Sequence, residues 1–219
     1  MSLEASLGYT FVEPRLLREA LTHRSFGMPH NERLEFIGDG VLNCVVALAL
    51  FNRFPELSEG QLSRMRANLV SQPALHSLAQ RLDVSLHLRI GEGEEKSGGR
   101  ERPSMLADAM EAVFGAILLD GGFEAAQAVI DRLYAHRIAQ VNPREGGKDA
   151  KTRLQELMQA KHFPLPVYVV DRVEGEAHAQ VFTVRCSVPA LGQDGTGRGP
   201  SRRAAEQQAA HAVLNKLGA

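Results

Sequence analysis

The sequence predicts an all-α domain followed by a small α+β module of order α-β-β-β-α. Three observations carry this. Apolar residues recur at helical spacing, with no strong strand signal, up to about Gln140. Val141-Asn142-Pro143-Arg144-Glu145-Gly146-Gly147 then has the composition of a linker. Beyond it the period becomes alternation, with Phe182, Val184 and Cys186 set against Thr183, Arg185 and Ser187. The expected divisions are residues 1–140, a linker at 141–147 and a module at 148–219. A chain of 219 residues fits one large or two ordinary domains.

The elements follow in order. Pro14 stands at a first-turn position of a helix carrying Leu16, Leu17, Ala20 and Leu21. The second helix covers roughly 31–53 and stops before Pro55. Its part from Val41 to Phe51 is apolar nearly all round, which predicts burial. Ser58-Glu59-Gly60-Gln61 reads as a capping box for a third helix, and Pro73 opens a fourth. Residues 91–99 form a polar, glycine-rich loop. A fifth helix runs from Pro103 to Leu119, Gly121-Gly122 breaks it, and a sixth spans about 123–139. In the module, Asp149 caps a helix bearing Leu154, Leu157 and Met158. Strands follow at 167–173, 180–188 and 192–199, and Ser201 caps a last helix.

Net charge is -1, but it is unevenly spread. Residues 148–219 hold ten Lys/Arg and seven Asp/Glu, while residues 1–147 hold fifteen and nineteen. A basic module on an acidic domain suits a polyanion binder joined to a cation-binding unit. Cys44 and Cys186 read as two reduced core thiols. The longest apolar run is shorter than a membrane span and no secretory signal is evident, so a cytoplasmic protein with no membrane partner is expected.

Two acid sets stand out. Glu32, Glu35 and Asp39 lie at i, i+3 and i+7, and Asp108 and Glu111 at i and i+3 of another apolar helix. A single set has an ordinary explanation as a solvated face or a helix-dipole partner. Two sets inside buried-looking helices, flanked by Gly38 and Gly40 and by Ala107, Ala109 and Ala112, suggest convergence. If the helices meet, Glu35, Asp39, Asp108 and Glu111 share one low-dielectric cleft. They must then take up protons or hold a hard divalent cation. All-oxygen ligation favours Mg²⁺, with Mn²⁺ as a substitute. Such an ion suits phosphodiester hydrolysis, where it activates water and stabilises the leaving oxygen.

Asn31-Glu32-Arg33-Leu34-Glu35-Phe36-Ile37-Gly38-Asp39 resembles the signature of the ribonuclease III family. Ala20-Leu21-Thr22-His23, Glu59-Gly60, Lys96-Ser97-Gly98-Gly99 and Leu106-Ala107-Asp108 with Glu111-Ala112 support the resemblance, in the family's order. It implies an all-helical, Mg²⁺-dependent endoribonuclease working as a homodimer, with one carboxylate cluster per subunit. Its metal ligands are Glu35, Asp39, Asp108 and Glu111, with Asp39 and Glu111 nearest the chemistry and Glu32 and Glu59 in support. Water attacks in line, leaving 5′-phosphate and 3′-hydroxyl ends. The implied targets are ribosomal RNA precursors and other structured transcripts, with some messenger processing. His23, beside apolar Ala20-Leu21, reads as structural rather than as a general base.

The C-terminal order resembles a double-stranded RNA-binding domain. The matches are Lys151-Thr152-Arg153-Leu154-Gln155-Glu156, Gly175-Glu176-Ala177-His178 and Gly197-Arg198-Gly199-Pro200-Ser201-Arg202-Arg203-Ala204. Arg202 and Arg203, after Ser201, fall in a helix's first turn, where phosphate is favoured. Thr152, Gln155 and Glu156 lie off the apolar face, and His178 sits in an inter-strand turn; both can reach minor grooves. Ala204 replaces a residue that is often basic in the family, and Pro200 enters the turn. Both weaken the expected phosphate contact.

Overall fold

A computed structural model describes residues 2–141, 150–175 and 180–218. The chain divides into two compact units, Met1–Gly147 and Lys148–Ala219.

The first unit is helical. Its elements are α1 (Leu3–Leu7), α2 (Pro14–Ala20), α3 (Glu32–Arg53), α4 (Glu59–Leu69), α5 (Gln72–Arg81), α6 (Glu92–Lys96) and α7 (Pro103–Ala139). Local chemistry sets most of the starts. Pro14, Pro73 and Pro103 each sit in a first turn, and Ser58 with Gln61 forms the capping box of α4. Three features differ from the sequence expectation. Helix α1 is five residues long, too short for a periodic signal; the Ser2 hydroxyl accepts from the Ala5 N–H at 3.2 Å and seats buried Leu3 and Leu7. The polar stretch 91–99 contains α6, whose first turn holds Glu92, Glu94 and Glu95, where the dipole favours anions. The break at Gly121-Gly122 narrows to one residue, Gly122, with φ 81° and ψ -177°.

Helices α3 and α7 form the centre of the core. Leu34, Val41, Leu42, Val45, Val46 and Leu50 of α3 are buried, as are Leu106, Met110, Val113, Phe114 and Ile117 of α7. Their backbones nearly touch. A Cβ on Gly38 would lie 1.8 Å from the Glu111 carbonyl oxygen, and one on Gly115 would lie 2.1 Å from that of Leu34. Both helices are long and apolar enough by composition to cross a membrane, although neither holds an uninterrupted apolar run of that length. In the fold they pack against each other as core helices.

The expected burial of residues 41–51 of α3 needs correction, and Phe36 before them is open too. Phe36, Leu48 and Phe51 are exposed, at 80, 41 and 66%. Cys44 is exposed as well, so the expectation of a core thiol there fails, while Cys186 is buried as expected. The cause is that neighbours cover one side of α3 only. Its other side forms an apolar groove of about 560 Å³ with Leu57 and Leu62.

The second unit holds α8 (Ala150–Ala160), β1 (Val167–Glu174), β2 (Val181–Val188), β3 (Gln193–Gly199) and α9 (Arg202–Leu217). The sheet is antiparallel, in the order β1-β2-β3, with a register shift between Val170 and Arg172. Leu154 and Met158 of α8, Val184, Cys186 and Val188 of β2, and Ala205, Ala209 and Val213 of α9 share one core. Strand β3 lies directly on α9, since a Cβ on Gly197 would meet the Ala205 carbonyl oxygen at 2.2 Å. The expected Asp149 cap lies outside the described residues.

The two glycines of α3 should respond in opposite ways. Gly38→Ala forces α3 and α7 apart and destabilises by about 1–3 kcal/mol or more, a melting midpoint roughly 3–10 °C lower. Gly40 has open space around it, so Gly40→Ala gains helix propensity of up to about 1 kcal/mol and melts slightly higher. Circular dichroism melts of the two variants check this; equal behaviour would contradict the close-approach account.

Candidate active site and nucleic-acid surface

The Gly38 contact lays the acid-bearing turn of α3 against the acid-bearing turn of α7. Carboxylate oxygens of Glu35, Asp108 and Glu111 come within 4.8 Å of one another, all three half-buried. They line a cavity of about 1130 Å³, together with Glu32, Asp39, His23, Arg24, Glu94, Arg102 and Ser104.

Of the four acids expected to converge, three do so. Asp39 lines the same cavity, exposed, and its carboxylate accepts from Asn43 Nδ2 at 2.7 Å. The same amide donates to the Asp39 carbonyl at 3.0 Å. Asn43 was missed in the sequence, although its i+4 spacing from Asp39 is the signal that finds it. Glu32 stands at the cavity wall, paired with Arg24 at 3.2 Å. Glu59 lies elsewhere, at the start of α4 on the apolar groove, accepting from the Ser63 hydroxyl at 2.6 Å. Glu94, Arg24 and Arg102 also escaped the sequence reading.

The electrostatics of the trio follow from burial and crowding. Burial, then the charges of Asp39, Glu35 and Asp108, push Glu111 up to about 8. Glu35 is raised by burial first, then by Asp108, Glu32 and Asp39. Burial raises Asp108, partly opposed by His23. His23 is lowered, mainly by burial; its Nδ1 pairs with the Ser25 hydroxyl at 2.8 Å, and its backbone N–H donates to the Arg89 carbonyl. A set of three carboxylate oxygens this close, with no Lys or Arg paired to them among the described residues, fits a hard divalent ion: opposite ligands of Mg²⁺ stand about 4.2 Å apart.

In the second unit, α8 turns Leu154 and Met158 inward, leaving Thr152 and Gln155 half-buried and Glu156 exposed. On α9, the Ser201 hydroxyl accepts from the Ala204 N–H at 3.2 Å, and Arg202 and Arg203 are exposed in the first turn. Glu206, only 7% exposed, accepts from Lys151 Nζ at 2.6 Å and from Arg202 Nε at 2.9 Å. Both cations hold its carboxyl below the usual range. Glu206 thus joins α8 to α9 and fixes Arg202, a role not visible in sequence because its partner Lys151 is fifty-five residues away. His178 lies outside the described residues.

In metal-free solution the trio makes stability depend on pH. These carboxyls have raised folded-state values, so their protons stabilise the fold fully below the ordinary carboxylate range. That contribution is lost as pH rises through about 8 for Glu111. With EDTA present, the melting midpoint of the first unit should fall between pH 5 and 8.5, and Glu111→Gln should flatten the dependence. Calorimetry across this range checks it; a midpoint that stays level in the unmodified chain contradicts the picture.

Comparison with known proteins agrees with this geometry. Residues 13–138 match the family model described as Ribonuclease-III-like, and residues 150–217 match the double-stranded RNA binding motif. The chain is 61% identical over 215 residues to Ribonuclease 3 of Aromatoleum aromaticum, covering 98% of this chain and 96% of that one. It is 56% identical over 213 residues to Ribonuclease 3 of Bordetella avium, covering 97% and 85%. Among solved structures, the nuclease domain of ribonuclease III from Campylobacter jejuni aligns with a TM-score of 0.61 at 44% identity, covering 64% of this chain and 96% of that one. With 61% identity along nearly its whole length and a helical unit whose acids meet where α3 crosses α7, this chain belongs to the ribonuclease III family.

Proposed function

We infer that this protein is an endoribonuclease that hydrolyses double-stranded RNA as a homodimer, leaving 5′-phosphate and 3′-hydroxyl ends. The observation that carries the reading is the carboxylate trio at an open cavity, in the same chain as a double-stranded RNA binding motif. The family depends on divalent metal, and the trio supplies the matching donors. Our reading assigns Glu35, Asp108 and Glu111 to holding Mg²⁺, with Mn²⁺ as a substitute, and Asp39 to completing the set. When bound, the cation offsets the carboxylate charge and activates water for in-line attack.

The protein's own groups set the stage for that chemistry. Glu111 carries a proton at neutral pH when no cation is present and must give it up to become a ligand. Asn43 fixes the Asp39 carboxylate toward the cavity. Arg202 and Arg203 are assigned to phosphate, and Thr152, Gln155 and Glu156 to the minor groove. Such a module reads A-form shape over about 16 base pairs. The family's work in the cytoplasm, maturation of ribosomal RNA precursors and other structured transcripts, is the role we assign.

Pairing of two copies is supported by the open side of α3, where Phe36, Leu48 and Phe51 expose apolar surface. The double variant Leu48→Glu/Phe51→Glu should shift the chain from dimer to monomer in light scattering and abolish coordinated cutting of both strands. A variant that remains dimeric would place the interface elsewhere.

Cleavage of a labelled duplex tests the activity itself. We expect cutting in Mg²⁺ and none in EDTA. Glu111→Gln should lose roughly a hundred- to a thousandfold in kcat, of the order seen when one transition-state-stabilising group is removed, while binding duplex normally. Near-normal cutting by Glu111→Gln would remove that residue from the metal site. Binding without any cutting by the unmodified chain in Mg²⁺ would reduce the protein to a binder.

A further inference from the structure

The cavity carries a charge problem that the trio leaves unsolved. Six carboxylates line its walls, against two guanidinium groups, those of Arg24 and Arg102. A duplex brings a negative phosphate at every step of each strand. A cation at the trio addresses the carboxylates there; phosphates flanking the cut need partners of their own.

Arg102 is placed to be one. It immediately precedes α7, six residues before Asp108, or about 9 Å along the helix. Its side chain lines the cavity, and its Nη1 pairs with Glu94 Oε2 at 3.0 Å. The pair is part-exposed, at 45% for Arg102 and 29% for Glu94. Ion pairs so open to water are weak. The guanidinium fork can also leave one partner for a phosphate without moving far.

Glu94 sits on a braced element. Arg100 spans the base of α6, donating to Glu95 at 2.6 and 3.0 Å and to the carbonyls of Ser85 and Leu88 at 2.7 and 2.8 Å. Ser97 Oγ donates to the Glu94 carbonyl at 3.0 Å. The facing loop is stapled to the same region, because the Gly91 N–H donates to Ser25 Oγ at 2.9 Å. The wall is therefore held in place before any RNA enters.

We propose that Arg102 binds a backbone phosphate of the strand being cut, and that Glu94 is its resting partner, displaced when duplex RNA enters. The proposal rests on the reading of the chain as a double-stranded RNA nuclease. It makes the two members of one ion pair act in opposite directions, which a structural staple cannot do.

Steady-state cleavage of a defined duplex by the full-length protein in Mg²⁺ tests this. Arg102→Ala should raise KM roughly three- to tenfold, the loss falling mainly on KM rather than kcat. The salt dependence of kcat/KM should become shallower by about one phosphate contact. Arg102→Lys, which keeps the charge but not the fork, should fall between. Glu94→Gln should lower KM roughly twofold or more, and the double variant should match Arg102→Ala. A rise in KM for Glu94→Gln, or an unchanged KM and salt slope for Arg102→Ala, overturns the proposal. Duplex affinity in the Glu111→Gln background reads the same contacts without cutting. If the unmodified chain fails to cut while these opposed effects on affinity persist, the nuclease reading fails and the phosphate contact stands.

Discussion

Everything at the site depends on the approach of α3 to α7 at Gly38 and Gly115. With no side chain at either position, each helix rests on a carbonyl of the other. One contact involves the carbonyl of Glu111 itself, so the packing point and the carboxylate trio share a residue. Glu35 lies three residues before Gly38, and Asp108 three before Glu111, so a single crossing fixes all three carboxylates. A methyl group at the crossing moves both acid-bearing turns, which couples stability and site geometry more tightly than a loop-borne site would.

The same crossing explains the unfavourable electrostatics. Buried apolar residues of both helices exclude water from beneath the trio, and among the described residues no Lys or Arg pairs with the three carboxylates. Their raised proton affinity is the direct result. Natural folds keep such conflicts where function needs them. Here the conflict is resolved by protons or by a cation, and the two compete for the same oxygens.

Much of this was legible in the sequence. The i, i+3 spacings, the helical period and the flanking small residues pointed to two acid-bearing helices in contact. Gly38 and Gly40 looked equivalent, however, and only Gly38 is at the crossing. One residue along a helix turns the side chain by about 100°, and sequence alone does not say which face meets the partner. The exposed side of α3 was misread for a related reason. An apolar surface left open by the fold has the composition of one that meets the core. The edges of the cavity were the least legible part. Arg24, Glu94 and Arg102 come from three segments of irregular or short helical structure, and no spacing links them. Lys151 and Glu206 share that limitation, since their pairing is a consequence of how α8 packs on α9.

The distribution of charge in the two units now has a physical reading. Part of the first unit's excess acid is concentrated at the cavity, where six carboxylates face two guanidinium groups. The second unit's modest positive excess is not spread as a featureless basic surface: Glu206 consumes part of it to anchor Lys151 and orient Arg202. A carboxylate therefore appears beside a cation expected to meet phosphate in both units, Glu94 with Arg102 and Glu206 with Arg202. The two pairs differ in burial, and that difference sets their roles. Glu206 is buried and bonded to both Lys151 and Arg202, so its carboxylate stays in place as an anchor. Glu94 is part-exposed with a single arginine contact, so it can release its partner to a stronger anion. Anchored cations suit shape recognition along a duplex, where register is not critical. A releasable one suits the cleavage site, where occupancy by RNA must displace something already there.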